Sequence, residues 1–318
     1  MKVKSILSLL LVMPLTACTK STFVINNKVF CFDTFVDVNL YEGTEENSKE
    51  IEQYCLNYDK LADNYQARDL TNVYSINQSN EDITVSNELY DLLKVSFNVS
   101  NEGAEYFNPL CGSLAKKWKE ALKNQQILDE NVINEEINKI KNSNLLFKEN
   151  GVIQRVGDAE IDLGGITKGY VLDKTLEYLN NQNIKQYLIN AGSSSILLGE
   201  KNTVDGLFKV GLNDLNKAYL KLKNCFVSTS SKSVQGVTIN GVTYSHIINP
   251  KTGSAINEND AVIVISDKGY YGDAMSTSLM MNTVDEIKEI EKEHNIKTVV
   301  IKNNKVVYAN PNVEVFYR

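Results

Sequence analysis

The sequence predicts an α+β fold, on three observations. Short strand-like runs crowd the C-terminal half, helical periodicities are interleaved with them, and no regular strand–helix–strand beat of the kind that builds a parallel sheet connects the two. At 318 residues, 42% of them hydrophobic, the chain can bury one large core or two small ones.

In chain order, "FCFDTFVDVNLY" alternates as a strand at Phe35, Val36, Val38 and Leu40, so the folded part is expected to start near residue 28. From Asn47 to Tyr65, the residues Ile51, Cys55, Tyr58, Leu61 and Tyr65 recur at helical spacing. Ser86 is a good N-cap for a second helix carrying Leu89, Leu92, Leu93 and Phe97. Residues 120–150 are polar with periodic Ile and Leu, which predicts a surface helical excursion. Beyond Gly151, "KQYLIN", "SSILLG", "FVSTS", "SVQGVTI", "VTYSHII", "AVIVIS", "KTVVIK" and "KVVYAN" read as strands. Asn240-Gly241 is a strong I′ hairpin signal and Asn303-Asn304 a weaker one. Helices are expected after Gly169, after Gly272 and from Val284 to His294.

The N-terminus reads as an export signal rather than as part of the fold. Lys2 and Lys4 precede the apolar run "ILSLLLVMPL", which is too short to span a bilayer as a mature helix. "LTAC", Leu15 to Cys18, resembles the lipobox of bacterial lipoproteins. Residues 1–17 would then be removed, and 18–27 would be a lipidated Cys18 with a polar tether. Residues 28–318 would form the folded domain, held outside the cytoplasm on the cell membrane. Several acyl groups on one residue anchor stably where a single chain would not. The alternative is a plain cleaved signal with Cys18 incidental.

A formal charge of −7 argues against a nucleic-acid surface, which needs clustered Lys and Arg. A local site for a small anion remains compatible with it. Cysteines 31, 55, 111 and 225 show no CxxC or zinc spacing, and their apolar contexts favour buried thiols, with pairing left open.

Three stretches carry chemistry. In "IDLGGITKGYVLD", Asp162, Gly164, Gly165 and Lys168 interrupt what would otherwise be a buried strand entering a helix. Glycines let a backbone approach a bound group closely, and a helix start offers free N–H donors, so a phosphate or a metal is indicated. "YSHIINPKTG" places His246, one of two histidines, at a strand end before a Pro/Gly turn. "YYGDAMSTSLMM" places Asp273 and Thr277 four residues apart at an expected helix start, hence on one face. A carboxylate, a hydroxyl and a nearby carbonyl make an oxygen-only set that suits Mg²⁺. Each has a blander reading: Asp273 as a helix cap, His246 as a structural histidine, the double glycine as a tight turn. Their order and company favour the functional one.

Taken with "CFDTFVDVNLY", "ADNYQARDLTNVYSIN", "EYFNPLCGSLAKKW", "YLINAGSSSILLG" and "VSTSS", these motifs make the chain resemble the ApbE-type FAD:protein FMN transferases over most of residues 28–315. The resemblance implies the family's mixed α+β fold, with FAD bound in a cleft between subdomains. It implies Mg²⁺ ligation by Asp273, Thr277 and the Gly165 carbonyl. It also implies FAD contacts from Phe32, Tyr65, Tyr106, Phe107, Asn108, Asp162, Lys168 and Ile247, with Tyr65 packing on the flavin. The implied reaction is attack of a Thr or Ser hydroxyl of a target protein on the FMN-side phosphorus of FAD, releasing AMP. The target would be an extracytoplasmic domain of a membrane redox protein. His246 is the candidate base, and Asp273 could share that role. An FAD pyrophosphatase giving FMN and AMP, or a flavin carrier without chemistry, are the alternatives. Three departures stand out: Ser193 and Ser194 replace the Gly and Asp of the family's "NAGGD", Ser231 replaces the Gly of "TSG", and Asn108 replaces an Asp.

Overall fold

The computed structural model describes residues 24–317 except 213, 214 and 216. The expected signal segment, Cys18 and the first part of the expected tether lie outside the described residues. In chain order the elements are β1 Ile25–Cys31, β2 Thr34–Leu40, α1 Glu45–Ala62, α2 Val73–Asn77, β3 Asp82–Thr84, α3 Asn87–Asn98, α4 Gly112–Lys123 and α5 Glu130–Lys141. They continue with β4 Asn144–Phe147, β5 Val152–Val156, α6 Thr167–Asn181, β6 Tyr187–Ala191, β7 Ser195–Leu198, β8 Phe208–Gly211, β9 Ala218–Leu222 and β10 Cys225–Ser231. The C-terminal part holds β11 Val237–Ile239, β12 Val242–Tyr244, β13 Ala261–Ser266, α7 Gly269–Ser278, α8 Val284–Glu293, β14 Lys297–Lys302, β15 Lys305–Ala309 and β16 Phe316–Tyr317.

Eight strands form the central sheet in the order β1-β2-β6-β7-β10-β13-β14-β15, every pair antiparallel. Strand side chains alternate between faces, and this period divides the sheet's apolar residues between two cores. Val262, Val264 and Val300 join the core shared with the helices. Ala261, Ile263, Ile265, Val299 and Ile301 face the other way, against Phe208, Val210 and Leu220 of the β16-β9-β8 sheet. β13 is therefore buried at every position, which is why "AVIVIS" is continuously apolar. A third sheet, β3-β5-β4, packs with α3, where Tyr90 and Phe97 meet Phe147 edge-on. The α+β expectation holds. Among the described residues no helix is long and apolar enough to cross a membrane.

Several boundaries differ from expectation for local reasons. β1 begins at Ile25, ahead of the expected start near 28. α1 stops at Ala62 because Asp63 turns extended, at ψ 116, and its carboxylate accepts from the Tyr65 and Gln66 N–H groups and from Arg68. Tyr65 thus sits in a turn, beyond the helix expected to include it. The 120–150 excursion is helical only in part, since β4 and β5 pair around the Asn150-Gly151 turn, both residues at positive φ. α7 starts at Gly269, so Asp273 lies in the helix interior and not at its start. The capping reading of Asp273 fails for that reason. Asn240-Gly241 and Asn303-Asn304 both adopt the positive φ pair of I′ turns. The four described cysteines are free thiols; Cys31 and Cys55 are buried, whereas Cys111 and Cys225 are only partly so.

Candidate active site

A cleft of about 500 Å³ opens where the central sheet meets the helical part of the chain. Its wall draws on the β1–β2 turn, residues 106–108, the junction into α6, the β6–β7 turn, the end of β10, residues 246–248 and α7. Phe32, Tyr106, Phe107, Asn108, Asp162, Gly165, Lys168, His246, Ile247, Asp273 and Thr277 all line it. Tyr65 does not: it is 55% exposed, its ring set between the Lys116 and Lys119 ammonium groups at 5.0 and 5.1 Å.

Asp273 is the most constrained of these groups. Its side chain projects from α7 to the sheet, where Oδ1 accepts from Ser228 Oγ at 2.6 Å and Ser195 Oγ at 2.8 Å. Oδ2 accepts from the Gly169 N–H at 2.7 Å and lies 3.0 Å from the same Ser195 hydroxyl. The Gly169 contact requires α6 and α7 to touch. A Cβ on Gly169 would fall 2.1 Å from the Gly269 carbonyl oxygen, so only glycine permits the approach. Burial pushes the Asp273 pKa up, opposed by the Lys168 ammonium and then by the three donors. Thr277, one turn on, reaches back to Ser230 Oγ at 3.3 Å.

The junction into α6 brings Gly165 to the same place. The position of a Cβ on Gly165 is 3.0 Å from the Phe107 ring and 3.5 Å from Thr277 Oγ1, so the bare backbone is what fits between them. Asp162 accepts from the Gly164 N–H at 2.7 Å, which shapes the turn. Lys168 makes no ion pair among the described residues, and its charge acts on both Asp273 and His246. It places a cation on the cleft wall.

His246 follows β12 in a segment pinned on both sides. Ser245 is fully buried and its N–H donates to the Ala255 carbonyl; Ile247 N–H donates to Ser245 Oγ, and Asn257 donates to the Ile247 carbonyl. Trp118 ties the same loop to α4 by donating to the Gly253 carbonyl. His246 is exposed to the cleft between buried Ser245 and Ile247, and Ile247 and Ile248 line the same wall. The surrounding walls, and then Lys168, hold its imidazolium below the usual range, so the ring is neutral at neutral pH.

The remaining predicted contacts are fixed by their own turns. Phe32 adopts φ 54 in the β1–β2 turn, a conformation costing roughly 1–2 kcal/mol for a side chain of its kind. Its N–H donates to Asp59 Oδ1 at 2.6 Å, which secures it. Tyr106 lies under the Lys251 ammonium at 4.4 Å and its N–H donates to Ser278. Asn108 caps the short turn 109–111 by accepting from the Leu110 N–H.

The donor set fits a hard cation. Ionised, a carboxylate offers about four lone-pair sites, and the three donors on Asp273 leave one. Thr277 and Gly165 line the same cleft, with the position of a Cβ on Gly165 3.5 Å from Thr277 Oγ1. Among the described residues no group of three or more His, Cys, Asp or Glu is placed to hold a metal, so the soft or imidazole-rich sets that favour zinc do not arise. Sequence reasoning missed Ser195, Ser228 and Gly169. Ser195 is the last serine of "NAGSSS" and Ser228 the first of "VSTSS", but nothing in either motif says that β7 and β10 pair them directly opposite each other.

The ApbE family profile matches residues 32–300. A protein of Klebsiella pneumoniae (strain 342) named FAD:protein FMN transferase is 25% identical over 287 residues, spanning 86% of this chain and 88% of its own length. One of the same name from Chlamydia muridarum is 26% identical across 75% of this chain and 77% of its own. Among solved structures, an ApbE protein from Thermotoga maritima superposes with a TM-score of 0.79 at 20% identity, covering 91% of this chain and 97% of that one. The flavin transferase ApbE of Vibrio cholerae gives 0.73 at 18% identity, with 93% and 97% covered. With a fold that these structures share and a profile match that takes in every cleft residue named above, the chain belongs to the ApbE family.

Proposed function

We infer that the protein is an FAD:protein FMN transferase, which moves FMN from FAD to a hydroxyl of a target protein and releases AMP. One observation carries this reading beyond family membership. Groups from Phe32 to Thr277, scattered over most of the chain, meet on one cleft that offers a cation, a neutral imidazole and an oxygen donor set.

Lys168 meets the FAD pyrophosphate as a point charge on the cleft wall. Phe32, Tyr106 and Phe107 give the flavin an apolar wall, while Asp162 and Asn108 can accept from or donate to its polar edges. His246, neutral and open to the cleft, takes the proton of the acceptor hydroxyl as its oxygen bonds to the FMN-side phosphorus. AMP leaves as the pyrophosphate P–O bond breaks. Asp273, Thr277 and the Gly165 carbonyl would hold Mg²⁺, whose chemistry here is neutralisation of phosphate charge. Pre-set positions and electrostatics supply most of the acceleration.

The export signal and "LTAC" support a lipoprotein held on the outer side of the cell membrane by Cys18, acting on an extracytoplasmic domain of a membrane redox protein. The test incubates the chain beginning after Cys18 with FAD, Mg²⁺ and a candidate flavoprotein acceptor, and reads acceptor mass together with AMP. A mass gain of one FMN matched by AMP, and abolished by chelator, is the expected result. AMP with free FMN and an unmodified acceptor would point to hydrolysis, and FAD returned unchanged would overturn the enzyme reading.

A further inference from the structure

We propose that Ser195 and Ser228 are positioning residues that present the Asp273 carboxylate to a cation through a single oxygen site, and so select Mg²⁺ over Ca²⁺. The inference rests on the reading of Asp273, Thr277 and Gly165 as an oxygen donor set.

The two serines are direct cross-strand partners in the β7–β10 pair, and both are about 1% exposed. A hydroxyl has one proton to donate. Ser228 gives its own to Oδ1 at 2.6 Å, while Ser195 straddles the carboxylate at 2.8 and 3.0 Å. Gly169 N–H takes one site on Oδ2. With three of about four lone-pair sites engaged, the carboxylate cannot turn and has one position left to offer. Mg²⁺ accepts one oxygen per carboxylate in a strict octahedron, whereas Ca²⁺ accepts a bidentate carboxylate in a looser shell. A carboxylate clasped in this way suits the smaller ion. α7 also packs directly on the Ser228 side chain: a Cβ on Gly272 would fall 2.8 Å from Ser228 Oγ and 2.6 Å from Ser266 Oγ.

The experiment titrates MgCl₂ and CaCl₂ separately into detergent-solubilised full-length protein, without FAD, by calorimetry. Wild type is compared with Ser195→Ala and Ser228→Ala, with thermal melting in chelator as a fold control. Loss of either hydroxyl should weaken Mg²⁺ binding ~10-fold, the usual scale for groups that orient a metal ligand. Ca²⁺ binding should change by less than about threefold, because the freed oxygen can close a bidentate contact. Should an alanine variant fail to fold, Ser228→Cys fills the site with a larger, weaker donor, and it should reproduce the Mg²⁺-selective loss. Equal weakening of both ions, or no change in either, overturns the proposal. A wild-type protein that binds neither ion overturns the donor-set reading itself, and with it the proposal.

Discussion

Gly169→Ala is the sharpest probe of how α6 and α7 hold the site. In an unconstrained helix the change would stabilise by about 1 kcal/mol, because alanine has less backbone freedom to lose. Here the added Cβ would lie 2.1 Å from the Gly269 carbonyl oxygen, 2.4 Å from its carbon and 2.8 Å from Tyr270 N, all of them backbone atoms. Relief to ordinary contact at 3.4 Å requires the helices to part by about 1.3 Å. That shift takes the Gly169 N–H beyond hydrogen-bond range of Asp273 Oδ2, now at 2.7 Å. Overpacking costs roughly 1–3 kcal/mol and a lost bond to a charged group roughly 1.5–3 kcal/mol, so a net loss of about 3 kcal/mol is expected after the propensity gain. Urea unfolding reads the stability, and AMP release from FAD reads the site; both should fall. An unchanged or raised urea midpoint, with normal AMP release, would refute the account of the α6–α7 contact.

Asp273→Ala should abolish cation-dependent turnover and also lower stability, because Ser195, Ser228 and Gly169 lose their acceptor; turnover that survives with chelator-sensitive kinetics would remove Asp273 from the donor set. His246→Ala should lower kcat more than it weakens FAD binding, and equal loss of both would remove it from the base role. Because the His246 pKa is lowered in the free enzyme, the acid limb of kcat/KM in wild type should fall below the ordinary imidazole value near 6.5, and a limb above it would contradict the assignment. Burial raises the Asp173 pKa to about 6, against the Gly269 and Tyr270 N–H groups that it accepts. A raised carboxylate contributes stability that is fully present below its unfolded pKa near 3.8 and is lost as pH rises through about 6. Asp173→Asn should therefore flatten the pH dependence of the unfolding free energy between those values, and an unaltered slope would show that another group sets it.

The parts of the molecule most legible in the sequence were those whose signal is local. Ser86 caps α3 by accepting from the Leu89 N–H, as its position before Leu89, Leu92 and Leu93 suggests. Asn240-Gly241 turns where the dipeptide says it should. The same dipeptide at 150–151 was masked by its polar surroundings, which read as helix, and the short β8, β9 and β16 strands carry too few residues for alternation to stand out. In the cleft, residues within recognisable motifs were found, and the groups that act on them were not. Ser195 and Ser228 meet Asp273 only because two strands and a helix converge, a fact of long-range pairing that no spacing in the chain encodes. Tyr65 shows the converse: the helical period runs through it, but Asp63 collects two N–H groups and an arginine and ends the helix first.

The start of β1 at Ile25, on the outer edge of the central sheet, limits where such an enzyme can work. Were Cys18 the lipid anchor proposed above, six residues, 19–24, would lie between it and β1, and six residues reach at most roughly 20 Å. An enzyme so anchored would work in a thin layer over the membrane, where two-dimensional confinement would raise its encounter rate with acceptors carried by neighbouring membrane proteins and largely hide those that diffuse freely. Lengthening this stretch with a Gly/Ser insert should shift that preference without touching the chemistry.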